Sequence, residues 1–430
     1  MGLVDTLRER GFLYQITDEK RLLEAERSDS LIGYIGFDPT ADSLHVGSLV
    51  PIMALAHMQK EGHKPIAVLG GGTAMVGDPS GKTEMRKMLL KEQIEAHGKK
   101  IERQLAKYLD FEGGGAQIVN NATWLLPLKY IDFLREIGRY FSVNRMLTTE
   151  SIKQRLGTGL SFLEFNYMLL QAYDFYRLYV DYGCRLQMGG QDQWGNIVAG
   201  IDLIRRIEGA TAFGITFPLL VNASGEKFGK TVAGAIWLDA DKTSPYDFYQ
   251  FWRNTDDRDV KKFLGLFTFL PMDEVRRLGN LKDRALNRAK EILAFEATRI
   301  THGDAAAKEA YLASINQFGS ADPKGEIKTS SAIQSIGLDQ GASIPTCYYP
   351  DAQKSKGIPV IDLFLLSGLT KTKSEARRLI KQGGGYIGND RIPSIEAVVS
   401  RDALSGGGII LRAGKKRVVR IKTKGGQDGE

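Results

Sequence analysis

From Ser30 to about Leu220, short apolar runs alternate with longer stretches whose apolar residues recur at three- and four-residue intervals. The runs "LIGYIGF" (31–37) and "KPIAVLGG" (64–71) read as buried parallel strands joined by a helix from about Gly47 to Gly62, which is a βαβ unit. "AQIVNNATWL" (116–125), "CRLQMGG" (184–190) and "AFGITFPLLV" (212–221) supply further strands, while 128–138, 161–178 and 193–207 carry the helical period. This alternation predicts an α/β domain on a Rossmann-like open parallel sheet. Its ligands should lie beyond the C-terminal strand ends, where "GFDPT", "GGGT" and "GGQDQ" fall. From Ser244 to about Phe318 the period is helical throughout, which predicts a small helical domain. Residues 319–356, rich in Ser, Gly, Ala, Asp and Lys, read as a linker. Residues 357–430 then give a helix, a Thr/Ser-capped second helix from about Lys373 and a Gly turn into a strand, a compact α+β module. The expected domains are therefore 1–220, 221–318 and 357–430, with 319–356 as the connection.

Composition narrows the class. The 430 residues are 43% hydrophobic and 25% charged, the balance of a globular chain with room for two or three domains. Cys184 and Cys347 match no zinc or redox spacing, so no disulfide framework is expected. The opening "MGLVDTLRERGFL" lacks an apolar signal core, and no apolar run approaches the ~20 residues of a membrane span, so a cytoplasmic location is expected. The net charge of +7 is uneven: residues 351–430 carry 16 Lys and Arg against 8 Asp and Glu, while the first 350 carry 42 against 43. A basic module on a neutral body suggests a polyanionic partner, nucleic acid above all. A solvated basic face is the alternative.

Two stretches imitate phosphate loops, "GDPSGKT" (Gly77 to Thr83) and "GEKFGKT" (Gly225 to Thr231). Each has three residues between its first Gly and the Gly-Lys pair where wrapping a phosphate needs four, and Val76 and Ser224 stand where the missing Gly would be. This spacing disfavours a P-loop NTPase. "HVG" has another chemistry: a loop leaving strand 31–37 and entering a helix near Gly47 offers backbone donors and a positive helix end. His45 there can donate to a phosphate, or can simply cap the helix. In "SFLEFNYMLLQAYDFYRL" (161–178), apolar on most sides, Tyr167, Gln171 and Asp174 fall at i, i+4 and i+7. A buried polar stripe of this kind needs partners, from a protein network or from a polar ligand.

Together these motifs carry more than each alone. "DPTADSLHVGS" in the first βαβ turn and "KFGKT" after the last sheet strand resemble the HIGH and KMSKS signatures of class I aminoacyl-tRNA synthetases. With "GFDPTADSLH", "GDPSG", "YMLLQAYDF" and "GGQDQWGN", the chain is similar over nearly its whole length to the bacterial tyrosyl-tRNA synthetase family, including a C-terminal module similar to an S4 RNA-binding domain. The resemblance implies a homodimer that activates tyrosine with ATP and passes it to tRNA(Tyr). Magnesium would arrive with ATP, and the scattered histidines form no metal-binding pattern.

The same resemblance assigns residues. Tyr34 and Asp174 should hold the substrate phenol, Tyr167, Gln171 and Asp78 its ammonium group, with Gln187 as a further pocket residue. Thr40 and His45 should contact the ATP phosphates from the first loop, and Lys227, Lys230 and Thr231 from the second. Gly36, Asp38, Gly47, Ser48, Gly190, Asp192 and Gln193 complete the expected ATP site, Asp192 on the ribose hydroxyls. Lys371, Lys373, Arg377, Arg378, Lys381, Lys415, Lys416 and Arg417 should meet tRNA. Three departures stand out: Ser48 in place of the second signature histidine, "KFGKT" for KMSKS, and Gln191 where Ser is usual. Two rivals remain beside the P-loop reading. One is activation of tryptophan, against which Tyr34 with Asp174 argues; the other is an RNA-binding protein of synthetase descent without catalysis.

Overall fold

The computed structural model describes residues 2–80, 89–157, 159–221, 223, 225, 228–231, 234–336, 346–349, 357–370, 372–388, 390–404, 408–414 and 417–423. Within them the side chains of Lys230, Thr231, Thr346 and Arg401 lie outside the description. The chain separates into two compact units, Met1–Asp304 and Ala305–Glu430.

The first unit is built on a six-stranded mixed sheet. Its strands are β1 (Gln15–Ile16), β2 (Ile32–Phe37), β3 (Lys64–Leu69), β4 (Gln117–Asn120), β5 (Leu186–Gly190) and β6 (Phe213–Phe217), in the order β1-β6-β5-β2-β3-β4. All neighbours are parallel except β1, which runs antiparallel to β6. The register sets Tyr34 of β2 between Ile66 of β3 and Gln187 of β5. Strand order reverses where β2 meets β5, so the loops leaving these two strands diverge and open a crevice at their C-terminal ends. Helix α1 (Leu49–Lys60) joins β2 to β3; nearly all of it is buried, which makes it a core helix rather than a surface cover. Helices α2 (Tyr167–Tyr182) and α3 (Trp194–Glu208) pack on each other beside β5 and β6.

Several expected elements end elsewhere than the periodicity suggested. The strand read over 116–125 stops at Asn120, because Asn121 takes helical angles and a short helix, Ala122–Leu125, follows. The helix read over 161–178 is two, Phe162–Phe165 and α2; a Ser161/Glu164 capping box starts the first and Gly183, at φ 70°, terminates the second. The α1 segment begins with a 3₁₀ turn, Val46–Ser48. A helix at Lys91–Leu105 occupies a stretch to which the sequence pattern assigned nothing.

The boundary expected at residue 220 is absent. Phe228 sits among Phe251, Trp252, Phe263 and Phe267, with ring centroids 4.7 to 5.6 Å away, and His45 and Trp237 form a β-bridge. The following helices, Pro245–Arg253, Val260–Phe267, Met272–Gly279 and Asp283–His302, therefore belong to the first unit.

In the second unit a five-stranded sheet orders Asp390–Arg391, Gly385–Ile387, Ile409–Ala413, Arg417–Thr423 and Thr346–Tyr349. The last of these lies in the expected linker yet pairs in parallel with Arg417–Thr423, a correction to the 319–356 assignment. Helices Val360–Leu366 and Lys373–Lys381 bury Leu363, Phe364, Ala376 and Ile380 with Leu411 and Ile421 of the sheet. Thr372 caps the second helix, accepting from the Glu375 amide at 3.1 Å.

Candidate active site

At the C-terminal ends of β2 and β5 a cleft is lined by Tyr34, Gly36, Asp38, Thr40, His45, Gly47, Ser48, Asp78, Tyr167, Gln171, Asp174, Gln187, Gly190, Asp192 and Gln193. All the expected tyrosine-site residues are here, together with the ATP-site residues whose side chains are described. Lys227 lies outside the described residues, as do the side chains of Lys230 and Thr231.

The floor is buried and polar. Asp174, 4% exposed on α2, accepts from Asn121 Nδ2 at 2.9 Å and from Trp124 Nε1 at 2.7 Å. Burial pushes its carboxyl up to about 7 despite both donors, because removing water from a carboxylate outweighs two hydrogen bonds. Tyr34 is 2% exposed, and its hydroxyl has no hydrogen-bond partner among the described residues. Burial and then the Asp174 charge hold that phenol well above its ordinary range, so it stays protonated. Gln187 Oε1 is a second buried acceptor without a partner there. Unsatisfied buried groups are costly, and two of them lining one cleft mark a place for a ligand.

A chain of hydrogen bonds leads outward. Asn121 Nδ2 donates to Thr73 Oγ1 at 2.9 Å, Thr73 donates to Asp38 Oδ1 at 2.7 Å, and the Tyr167 hydroxyl donates to Asp38 Oδ2 at 2.9 Å. Asp38 thus stands with Tyr167, although the sequence reading placed it with ATP. Beside it Asp78 accepts from the Ser80 amide at 2.9 Å and from Gln193 Nε2 at 2.8 Å. Burial again dominates, raising its carboxyl to about 6. Asn196 Nδ2 donates to the Oε1 atoms of both Gln171 and Gln193, which fixes the orientation of the two amides, and Gln193 turns its donor end to Asp78.

Loops form the mouth. His45 Nδ1 accepts from the Gly47 amide at 3.0 Å, which leaves Nε2 as the hydrogen-bearing nitrogen of the neutral ring. The cap is thus made by Nδ1, and a donor role would fall to Nε2. Ser48 lines the cleft without capping α1. A Cβ built on Gly36 meets nothing within 4 Å, so any side chain there would project into open space at the cleft. The "KFGKT" segment approaches the same turn: Gly229, at φ 83°, has no room for a Cβ against Val46. Gln191 is accounted for structurally, since its Oε1 accepts from the Leu219 amide at 3.1 Å and ties the loop after β6 to the loop after β5.

Sequence reasoning missed Thr73, Asn121 and Trp124. The signal was faint: an Asn doublet closing a short, partly exposed strand, and a Thr after three glycines. In the second unit Arg377, Arg378 and Lys381 are exposed on one helix, while Lys373 pairs with Asp362 at 2.7 Å and Arg417 donates to the Leu369 carbonyl at 2.8 Å. Lys371, Lys415 and Lys416 lie outside the described residues. Among the described residues no group of three or more His, Cys, Asp or Glu is arranged to hold a metal ion, and no helix is long and apolar enough to cross a membrane.

Comparison with known proteins agrees in direction. The family model for class I tRNA synthetases (W and Y) matches residues 26–319. A tyrosine-tRNA ligase of Desulfosudis oleivorans is 55% identical, covering 99% of this chain and 100% of its own, and one of Syntrophus aciditrophicus is 54% identical over 98% and 99%. Among solved structures, a C-terminally truncated mitochondrial tyrosyl-tRNA synthetase of Aspergillus nidulans superposes with a TM-score of 0.66 at 31% identity, covering 74% of this chain and 94% of that one.

Proposed function

The chain belongs to the class I tRNA synthetases of the tryptophan and tyrosine group, with the activity of a tyrosine-tRNA ligase, and on that premise we propose how the cleft divides the work. Tyr34 and Asp174 take the phenolic hydroxyl of the substrate, which donates to the carboxylate and accepts from Tyr34. Asp78, Tyr167 and Gln171 take its ammonium group, with Asp38 adding negative charge. The tyrosine carboxylate attacks the α-phosphate of ATP, the bond to the β-phosphate breaks, and pyrophosphate leaves with the electron pair. That carboxylate is already ionised, so positioning and charge stabilisation carry the step. Thr40 and the His45 Nε2 hydrogen face the phosphates from one loop, Lys227 and Lys230 from the other, and Asp192 takes the ribose. In the second half-reaction the terminal ribose hydroxyl of tRNA attacks the adenylate carbonyl and AMP departs.

The observation that carries this reading is the partnerless Tyr34 hydroxyl in a floor shared with the doubly hydrogen-bonded Asp174. A phenol completes both groups. Phenylalanine would leave the Tyr34 hydroxyl unpaired and bring Asp174 no further donor, and an indole N–H donates but offers Tyr34 no acceptor. Exchange of labelled pyrophosphate into ATP tests it: exchange driven by tyrosine supports the reading, exchange driven by tryptophan changes the substrate, and none leaves only a binding role.

Two further parts of the proposal rest on other surfaces. The exposed apolar side chains of Leu126, Tyr130, Ile131, Val143, Leu156 and Phe162 crowd one stretch of the first unit and suit a homodimer contact. Light scattering should give twice the chain mass, and Phe162→Asp should lower it. The basic second unit suits an S4-like RNA-binding role, in which Arg377, Arg378 and Lys381 meet tRNA phosphates. Replacing all three with Ala should weaken tRNA binding and flatten its salt dependence by about 3 counterions' worth of slope.

A further inference from the structure

The turn that carries His45 is held from both sides. On one side, helix Lys91–Leu105 presents His97, Lys100 and Gln104, at i, i+3 and i+7 and so on one face, to successive points of the turn. His97 Nδ1 donates to the Pro39 carbonyl at 3.2 Å, and Lys100 Nζ reaches Asp42 Oδ2 at 2.9 Å. Gln104, 6% exposed, uses both ends of its amide: Oε1 accepts from the Leu44 amide at 2.9 Å and Nε2 donates to Ser43 Oγ at 3.0 Å. Ser43 in turn donates to the Leu44 carbonyl at 2.8 Å, so the residue before His45 is fixed at both its N–H and its C=O.

On the other side lies the segment 236–238, just past the short strand Gly234–Ala235 that follows the second signature. The Val46 amide donates to the Ile236 carbonyl and the Leu238 amide to the Leu44 carbonyl, both at 2.9 Å, and the His45 ring meets Trp237 edge-on at 6.3 Å. Lys242 lies 5.3 Å from the centre of the Trp237 ring and reaches Asp42 Oδ1 at 2.7 Å. The two sides therefore meet on one carboxylate, Asp42, whose two oxygens take one lysine each. These two lysines depress the Asp42 carboxyl to about 2, so it is ionised throughout the physiological range.

We propose that Gln104 and Asp42 are positioning residues for adenylate formation, holding the His45 turn at the place where its Nε2 hydrogen meets the phosphates of ATP. This rests on the reading of His45 given above. A helix needing only to pack would be served by apolar side chains on this face. Instead a buried amide is matched to the Leu44 amide and the Ser43 hydroxyl just before His45, and a loop carboxylate joins the helix to Lys242 in the turn that follows "KFGKT" and Trp237. Neither residue lines the cleft. Their influence passes through His45, and it should be felt in the chemical step rather than in tyrosine affinity.

The test is a double-mutant cycle on the full chain, read by tyrosine-dependent pyrophosphate exchange and by equilibrium tyrosine binding. Gln104→Leu should lower kcat about tenfold to a hundredfold, as expected for a small misplacement of a catalytic donor, while tyrosine affinity changes by less than about twofold. Gln104→Glu, which keeps the acceptor for the Leu44 amide, should recover most of that loss. In a His45→Ala background Gln104→Leu should cost less than about twofold more, because the group it positions is gone. Equal losses in both backgrounds, or no loss in the first, overturn the proposal. If His45→Ala alone leaves kcat intact, the reading of His45 fails and the proposal with it, and the single variant shows this separately. Should Gln104→Leu not fold, Asp42→Asn asks the same question from the partly exposed end, with a loss of several-fold that again vanishes without His45.

Discussion

The two ends of the cleft are built on opposite principles. The end proposed for tyrosine is floored by side chains fixed on regular elements: Tyr34 on β2, Asp174 and Tyr167 on α2, Gln187 on β5. Asp174 is held by Trp124 and Asn121, and hydrogen bonds continue from Asn121 through Thr73 to Asp38 and Tyr167. The end proposed for the phosphates consists of loops, tied by backbone bonds and by the Asp42 clamp, with glycines where the two signature segments touch. A buried, preorganised end selects, since a wrong ligand leaves groups unpaired with no means of relaxing. A looped end can shift as ATP enters and pyrophosphate leaves.

If this contrast is right, damage at the two ends should look different. The largest effect is expected at the mouth: His45→Ala should lower kcat for activation by about 10²–10³-fold, as loss of one donor to a developing negative charge does, with tyrosine binding unchanged. At the floor, Asp174→Asn should lower kcat/KM for tyrosine by about a hundredfold, near the upper range for a hydrogen bond to a charged group, and should narrow the preference for tyrosine over phenylalanine. Asn121→Ala, which removes one of the two donors to Asp174 and the acceptor of the Gly72 amide, should cost about tenfold in tyrosine affinity and leave ATP affinity alone. A mouth variant that alters tyrosine affinity, or a floor variant that alters ATP affinity, would dissolve the distinction.

Titration sharpens it further. Protonation of Asp78 removes the charge proposed to meet the ammonium group, so kcat/KM for tyrosine should fall about tenfold per unit below pH 6, in a profile of activation rate against pH. Stability runs the other way. Both raised carboxyls hold protons in the folded chain at pH values where the unfolded chain, with an ordinary value near 4, has released them. The folded state binds more protons in that window, so unfolding free energy must decrease as pH rises from about 4 to about 7. The melting temperature of the free protein should drop across this range, and Asp174→Asn should abolish part of the drop. The floor thus costs the protein stability near neutral pH, and added tyrosine should raise the melting temperature again.

The sequence revealed one end better than the other, and for a physical reason. The stripe Tyr167, Gln171, Asp174 was legible because a helix imposes its period on whatever it displays. β2 and β3 were legible because parallel buried strands are apolar on both faces. Thr73 and Asn121 were not, since each sits in a turn after its strand and meets Asp174 or Asp38 only through the lateral neighbours the sheet supplies. Helix Lys91–Leu105 escaped because its contact with the His45 turn is made by His, Lys and Gln, which in a sequence look like solvated surface. Strand Thr346–Tyr349 escaped because its partner lies some seventy residues later, beyond the reach of any local pattern. The two departures at Gln191 and Ser48 also separate: Gln191 has a structural duty toward Leu219, while nothing in the structure explains the choice of Ser48.

Gly36 offers a use for the openness of the space before it. Its backbone lies in β2, outside the left-handed region, so alanine can occupy it without strain, and a Cβ there touches nothing within 4 Å. A bulkier residue at that one position, such as Gly36→Val, would sit where ligand must lie against the strand while leaving every other contact of the fold in place. On the proposed reading such a chain would be a decoy: unaltered in its second unit, still able to hold the RNA proposed for it, and unable to charge that RNA.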